Sequence, residues 1–350
     1  MIMAQRKVWL DYIKLIAMFL VVVYHTPPRC ECDGYVHELA LFNMGAPVFF
    51  FAAGYLFNIT RQGGFLAFLL HRARQLLIPY ASFSVIFYAL WLVVGRKMAG
   101  GQEMDIDSWT PVWQFLQGAP DVVLGTFWFL VALFTMQLIY YPIRKYLPGY
   151  WPLGVAVLLN LSLFVIPDTP VMHLWNLDKA LLYMPIYAIG NCCRPQVDKL
   201  VSMVQTGKCG IDVRVFHRCV AAAVLGLGFL ILAPVHWDRE PAYVLAPLAI
   251  ILVLPLYTMI CRGLEAVHSP AMDRIARTVA INGISYLALQ NYLIGIIKMV
   301  IGKLAGPATF DDNIILKIVI ALVVMAILYP LALIIERYLP FLLGKPYKKQ

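Results

Sequence analysis

Ten apolar runs, most of them near 20 residues long and separated by short polar segments, repeat along the chain and constrain what it can fold into. About 20 apolar residues are what an α-helix needs to cross the hydrocarbon core of a bilayer. A backbone surrounded by lipid must also satisfy its own hydrogen bonds, which a helix does within one segment. With turn residues as punctuation, spans are expected near 8–25, 39–59, 76–95, 123–142, 150–166, 179–193, 219–235, 242–260, 278–301 and 314–335. The fold class that follows is all-α, a polytopic transmembrane helical bundle. At 61% hydrophobic and 13% charged residues, the composition leaves no room for a soluble domain beside it. Residues 1–350 therefore read as a single integral membrane domain, with 336–350 as a short cytoplasmic tail.

The net charge of +9 has a topological origin. Of the 28 Lys and Arg residues, nineteen fall on segments that share a side with the N-terminus and six on the opposite side; Lys14, Lys298 and Lys317 lie within spans. That asymmetry places both termini in the cytoplasm, and the expected location is a bacterial inner (plasma) membrane. The basic residues are not interleaved with aromatics as a nucleic-acid groove requires, so no nucleic-acid partner is expected. Seven cysteines show no metal-ligand spacing, and no metal site is expected. Cys30 and Cys32 are too close for an unstrained disulfide and are expected to be free thiols. The first run follows Arg6 and Lys7 but contains Asp11 and Lys14 and ends in Tyr24-His25-Thr26-Pro27-Pro28, so it is expected to stay as a span rather than be cleaved.

Ionisable groups inside spans cost a few kcal/mol each and face the bundle interior or a wet cavity. The first span has three: Asp11, Lys14 and His25. At about 100° per residue, Lys14 and His25 differ by roughly 20° in azimuth and Asp11 lies about 40° from His25, so all three share one stripe. Lys14 and His25 are separated along it by about 16 Å. Two readings stand at this point. In one, Lys14 binds an anion or holds Asp11, and His25 is a general base, with the side chain whose reference pKa suits that role near neutrality. In the other, Lys14 snorkels to the interface paired with Asp11, and His25 is an interfacial residue before a Pro-Pro turn.

The second span reads Asn43-Met44-Gly45-Ala46-Pro47-Val48-Phe49-Phe50-Phe51-Ala52-Ala53-Gly54-Tyr55-Leu56-Phe57, with a kink expected near Pro47. Together with Trp9-Leu10-Asp11-Tyr12-Ile13-Lys14 and Tyr24-His25, it resembles the acyltransferase-3 family of integral membrane O-acyltransferases. His71-Arg72-Ala73-Arg74 running into Leu76-Leu77-Ile78-Pro79-Tyr80 looks like that family's basic inner loop and third span. Trp128-Phe129-Leu130 resembles its fourth span, and Tyr183-Met184-Pro185 and Asn282-Gly283-Ile284-Ser285-Tyr286 are weaker echoes of its sixth and ninth. Three positions depart from the pattern. Lys14 stands where Arg is frequent, Ala53-Gly54 replaces a Ser-Gly pair, and Gln290, Asn291 and Tyr292 follow Ser285-Tyr286 where many members carry a histidine.

The resemblance implies a membrane-embedded transfer of an acyl group, most often acetyl, from cytoplasmic acyl-coenzyme A to a hydroxyl of a carbohydrate or glycan acceptor. Acetyl-coenzyme A would be a co-substrate, with no permanently bound cofactor. The catalytic candidates are His25, Lys14 and Asp11. Arg72, Arg74 and Lys14 suit the phosphates of coenzyme A, though Arg72 and Arg74 also serve as topology signals. Trp128, Asn282, Ser285 and Tyr286 either orient substrate or stabilise an oxyanion, or else pack helices. His173 and His236 are rival bases on outer segments, and Glu336-Arg337 reads as the inner end of the last span. The sequence shows no internal repeat and no paired Gly/Pro-broken spans of the transporter kind. A transporter or flippase for a lipid-linked glycan remains the alternative from another class, and a non-catalytic scaffold is a third.

Overall fold

The computed structural model describes residues 6–26, 44–61, 63–95, 106–166, 168–204, 213–232, 241–267, 269–306 and 314–346. The described chain is helical throughout, with no strand among the described residues. In order the helices are α1 (Val8–His25), α2 (Gly45–Leu56), α3 (Phe65–Val94), α4 (Thr110–Gln117), α5 (Asp121–Tyr146), α6 (Trp151–Phe164), α7 (Leu177–Leu182), α8 (Met184–Cys192), α9 (Arg194–Met203), α10 (Val213–Leu232), α11 (Pro241–Ala266), α12 (Pro270–Ala305) and α13 (Ile314–Tyr338). Seven of these, α1, α3, α5, α10, α11, α12 and α13, are long and apolar enough to cross a membrane, while α2 and α6 are shorter apolar helices. The chain is thus an all-α polytopic bundle. The expected sixth span is α7 and α8, broken at Tyr183.

α1 is the central post, packed on α2, α11, α12 and α13, with Ile13, Ala17, Met18, Val22 and Val23 wholly inside. α1 and α2 run antiparallel: the Trp9 ring meets Tyr55 edge-on at 5.2 Å, and at the other end Gly45 lies against Ala17 and Val21. α2 crosses α8 with backbones in contact. A Cβ at Gly54 would sit 2.0 Å from the Tyr187 carbonyl oxygen, and one at Gly190 2.4 Å from that of Phe51. Small residues let membrane helices approach this closely, so dispersion contacts replace the hydrophobic drive that lipid cannot supply.

In the second span the described helix starts at Gly45, with Pro47 in its first turn, where its missing N–H costs nothing; residues 39–43, on which the expected kink depends, lie outside the described residues. α3 widens into π turns at Ala73–Leu77 and Trp91–Gly95, the first of them just before Pro79, whose ring cannot continue a regular hydrogen-bond ladder. α12 is one 36-residue element with non-helical backbone at Asn282 (φ -109°, ψ 19°). Just beyond Tyr338 the described chain folds back: Pro340, Leu342 and Leu343 are buried in a 3-10 turn held to α3.

Candidate functional site

The end of the bundle where α1 begins is built from ion pairs that tie neighbouring helices together. Arg6 donates to both carboxylate oxygens of Asp11, Nε to Oδ2 at 2.7 Å and Nη2 to Oδ1 at 2.9 Å. A forked pair of this kind is geometrically specific and strong. Lys7 reaches Asp198 of α9 at 2.5 Å and also bonds the Tyr55 hydroxyl, which itself donates to Asp198. The Arg194 guanidinium lies 5.2 Å from the centre of the Tyr55 ring. Burial alone would raise the Asp198 carboxyl, but the hydrogen bonds from Lys7 and Tyr55 and the nearby positive charges outweigh it and hold it below its ordinary range. Burial likewise opposes the charge on Lys7, and the same bonds prevail and raise it. The Tyr12 hydroxyl donates to Asp273 at 2.7 Å, and that of Tyr257 to the Ile13 carbonyl at 3.1 Å.

These contacts separate the three ionisable groups of the first helix. Asp11 is buried and committed to Arg6 rather than to Lys14. Lys14, one turn further in, is half-buried and forms no ion pair with a described residue. His25 closes α1 at the opposite end, half-buried, its ring edge-on to Tyr24 at 5.1 Å. The helix therefore carries a lysine near its ion-paired base and an imidazole at its far end, on the common stripe that the spacing requires.

The two loop arginines diverge. Arg72 turns inward: its guanidinium stacks 5.6 Å from the Phe68 ring centre, donates to Gln75 at 2.9 Å and lies within electrostatic reach of Tyr187. Its Nε is buried without a hydrogen-bond partner among the described residues. Arg74 is exposed and donates to the Gly344 carbonyl at 3.0 Å, fastening the turn after α13. The structure does not bring Arg72 and Arg74 to one face.

Trp128 sits in an aromatic group drawn from three separated motifs. Phe50 of α2 packs on Phe129 at 4.7 Å and stacks on Tyr183 at 5.2 Å, while Trp128 stacks on Tyr183 at 6.2 Å. The Lys179 ammonium lies 4.9 Å over the Trp128 ring and is held there by Asn176 Oδ1 at 3.1 Å. On α12, Asn282, Ser285 and Tyr286 are all buried. The Asn282 amide donates to Glu336 at 2.8 Å, whose carboxylate also faces Lys345 at 3.7 Å. Glu336 is thus more than a helix terminator. His173 has its two ring nitrogens 3.0 Å and 3.3 Å from the carboxylates of Asp168 and Asp178, and lines a 340 Å³ cavity with Gln117, Thr169 and Leu174. His236, Cys30 and Cys32 lie outside the described residues.

The Arg6–Asp11 pair, the Lys7–Tyr55–Asp198 clamp and the Glu336–Asn282 bond escaped the sequence reading. Arg6 and Asp11 are five apart across a helix start, outside the i,i+4 pattern, and the other partners are brought together only by tertiary packing.

An all-α bundle with seven helices long and apolar enough to cross a membrane, with ion pairs at one end of its central helix and a histidine at the other, defines a polytopic integral membrane protein. The family model described as an acyltransferase domain, acyltransferase-3, matches residues 7–337, and the chain belongs to this family. It is a membrane acyltransferase. No curated protein and no solved structure matches it.

Proposed function

We propose that the protein takes an acyl group, acetyl in the simplest case, from acyl-coenzyme A bound at the cytoplasmic, ion-paired end of the bundle and passes it to a carbohydrate hydroxyl near His25. The observation that carries this reading is the division of labour along α1: Asp11 is neutralised by Arg6, which leaves Lys14 as a cation within the bundle, about 16 Å below His25. Arg72, inward-facing with an unpaired Nε, is the second cation suited to a phosphate.

In the reaction, His25 accepts the proton of the acceptor hydroxyl as its oxygen attacks the thioester carbon. The C–O bond forms, the C–S bond breaks, and the departing thiolate takes the proton back from His25, so no net proton is consumed. Lys14 anchors the donor, which makes the attack intramolecular in effect. His173 is less available to an acceptor hydroxyl, because both its ring nitrogens are engaged by the carboxylates of Asp168 and Asp178. Incubating the purified protein with labelled acetyl-coenzyme A and crude envelope glycans tests the reading: transfer of label supports it, and donor binding without transfer would favour the transport of a lipid-linked glycan instead.

A further inference from the structure

Buried polar atoms inside a membrane bundle have no bulk water to pair with, so the ones left without partners mark places where something else must satisfy them. On α12 they form a line. Asn282 Oδ1, Ser285 Oγ, the Tyr286 hydroxyl and both the amide oxygen and nitrogen of Gln290 have no hydrogen-bond partner among the described residues. The relative exposures of these four residues are 1%, 0%, 0% and 0%. Asn282, Tyr286 and Gln290 are spaced i, i+4 and i+8, which sets them above one another on one helix face, while Ser285 lies about 60° round the helix from Asn282 and about 140° from Gln290. Each such atom destabilises the fold, whereas an apolar side chain of the same shape would not.

The line also has a definite height in the bundle. α12 and α1 pack along each other and run in the same direction: Tyr12 bonds Asp273 near their starts, and higher up a Cβ at Gly283 would lie 3.5 Å from the Met18 methyl carbon. Carried on by seven residues in each helix, that register sets His25 level with Gln290. Lys14 lies one turn below Met18, about 6 Å, and Asn282 is level with Met18 itself. The unpaired atoms therefore fill the interval between the proposed donor anchor and the proposed base.

We infer that this buried polar seam is the track for the pantetheine arm of the acyl donor. The inference rests on the acyl-coenzyme A reading given above. The arm is long and uncharged and carries two amides and a hydroxyl. The seam offers it an amide oxygen, two hydroxyls and a whole amide; the charged groups at its base are Glu336, engaged by Asn282, and Lys345, 3.7 Å from Glu336. The seam is closed in the structure, so the arm enters by parting α12 from its neighbours. The break in helical backbone at Asn282, followed directly by Gly283, supplies the hinge at its base. The unpaired atoms favour entry, because the loaded seam satisfies groups that the closed one does not.

The test separates the arm from the nucleotide. Calorimetry on the purified full-length protein compares coenzyme A with adenosine 3′,5′-bisphosphate, which lacks the arm, for wild type, Gln290→Leu, Ser285→Ala and Tyr286→Phe. The expected result is coenzyme A affinity weakened about threefold to tenfold in each variant, the range for one neutral hydrogen bond, with bisphosphate affinity unchanged. Thermal stability should hold or rise, since an unpaired polar group has been removed. If Gln290→Leu does not fold, Tyr286→Phe and Ser285→Ala each remove a single oxygen and carry the test. Unchanged coenzyme A affinity in all three would overturn the inference while leaving the donor reading intact, and the seam would then hold water or the acceptor. Equal loss for both ligands would make the seam structural. A wild-type protein that binds neither ligand would remove the donor reading and the seam with it.

Discussion

Replacing Gly54 by Ala adds one methyl group at the tightest point of the α2–α8 crossing. The new Cβ would lie 2.0 Å from the Tyr187 carbonyl oxygen, while real Cβ atoms stay beyond 3.0 Å, so the two backbones must part by about 1 Å. Neither contacting atom belongs to a flexible side chain. A radial gap of that size forfeits a quarter to a half of each dispersion well along the interface. The buried Phe51, Tyr55, Ile186 and Tyr187 all lie on the two helices concerned. Overpacking of this kind costs about 1–3 kcal/mol, and the backbone contact places Gly54→Ala toward the upper end. Gly190→Ala should behave alike, and the double variant should cost less than the sum, because one separation relieves both clashes. Gly154→Ala in α6 is the control: it is helical with nothing within 4 Å, so the same methyl should stabilise by about 0.5–1 kcal/mol. Thermal unfolding in one detergent, with opposite signs at the two glycines, checks the reasoning. A Gly54→Ala protein that melts with wild type would refute it.

Other outcomes follow from the basic end. Lys14→Arg should retain transfer better than Lys14→Gln, because the role needs a cation; a Lys14→Gln enzyme of normal turnover and membrane abundance would remove Lys14 from the mechanism. Arg72→Ala should weaken coenzyme A binding by about 1.5–3 kcal/mol, the value of a hydrogen bond to a charged group, whereas Arg74→Ala should chiefly loosen the turn at Gly344; calorimetry with equal effects would contradict the split. The Lys7–Asp198 bond is partly exposed and contributes about 1 kcal/mol or less. The lowered Asp198 pKa makes its share complete above the ordinary carboxylate value of about 4 and lost as pH falls through the lowered one, while the raised Lys7 pKa makes its share complete below about 10.4 and lost as pH rises through the raised one. The melting difference between wild type and Asp198→Asn should therefore be steady from about pH 5 to 9 and vanish in stronger acid.

The helices and the polar stripe on α1 were legible because both depend on local periodicity. Lipid forces each span to satisfy itself, and a 3.6-residue repeat fixes which residues share a face. The motifs of the second, fourth and sixth spans were legible as strings, and the structure brings their Phe50, Phe129 and Tyr183 rings together. What the sequence hid was relational. Nothing local to Asp11 indicates that Arg6 rather than Lys14 takes it, and Arg72 and Arg74 look equivalent until the turn after α13 claims one of them. Gln290 read only as a departure from a motif, and became informative through its burial without a hydrogen-bond partner among the described residues.

The central claim, that His25 is the base that activates the acceptor, is tested most directly by measuring acyl transfer and coenzyme A affinity together in His25→Ala. The account predicts transfer reduced by about 100-fold to 10,000-fold with coenzyme A affinity within about threefold of wild type, since the imidazole acts on the acceptor proton and not on the donor's phosphates. Transfer at the wild-type rate, or donor binding lost in step with it, would contradict the claim.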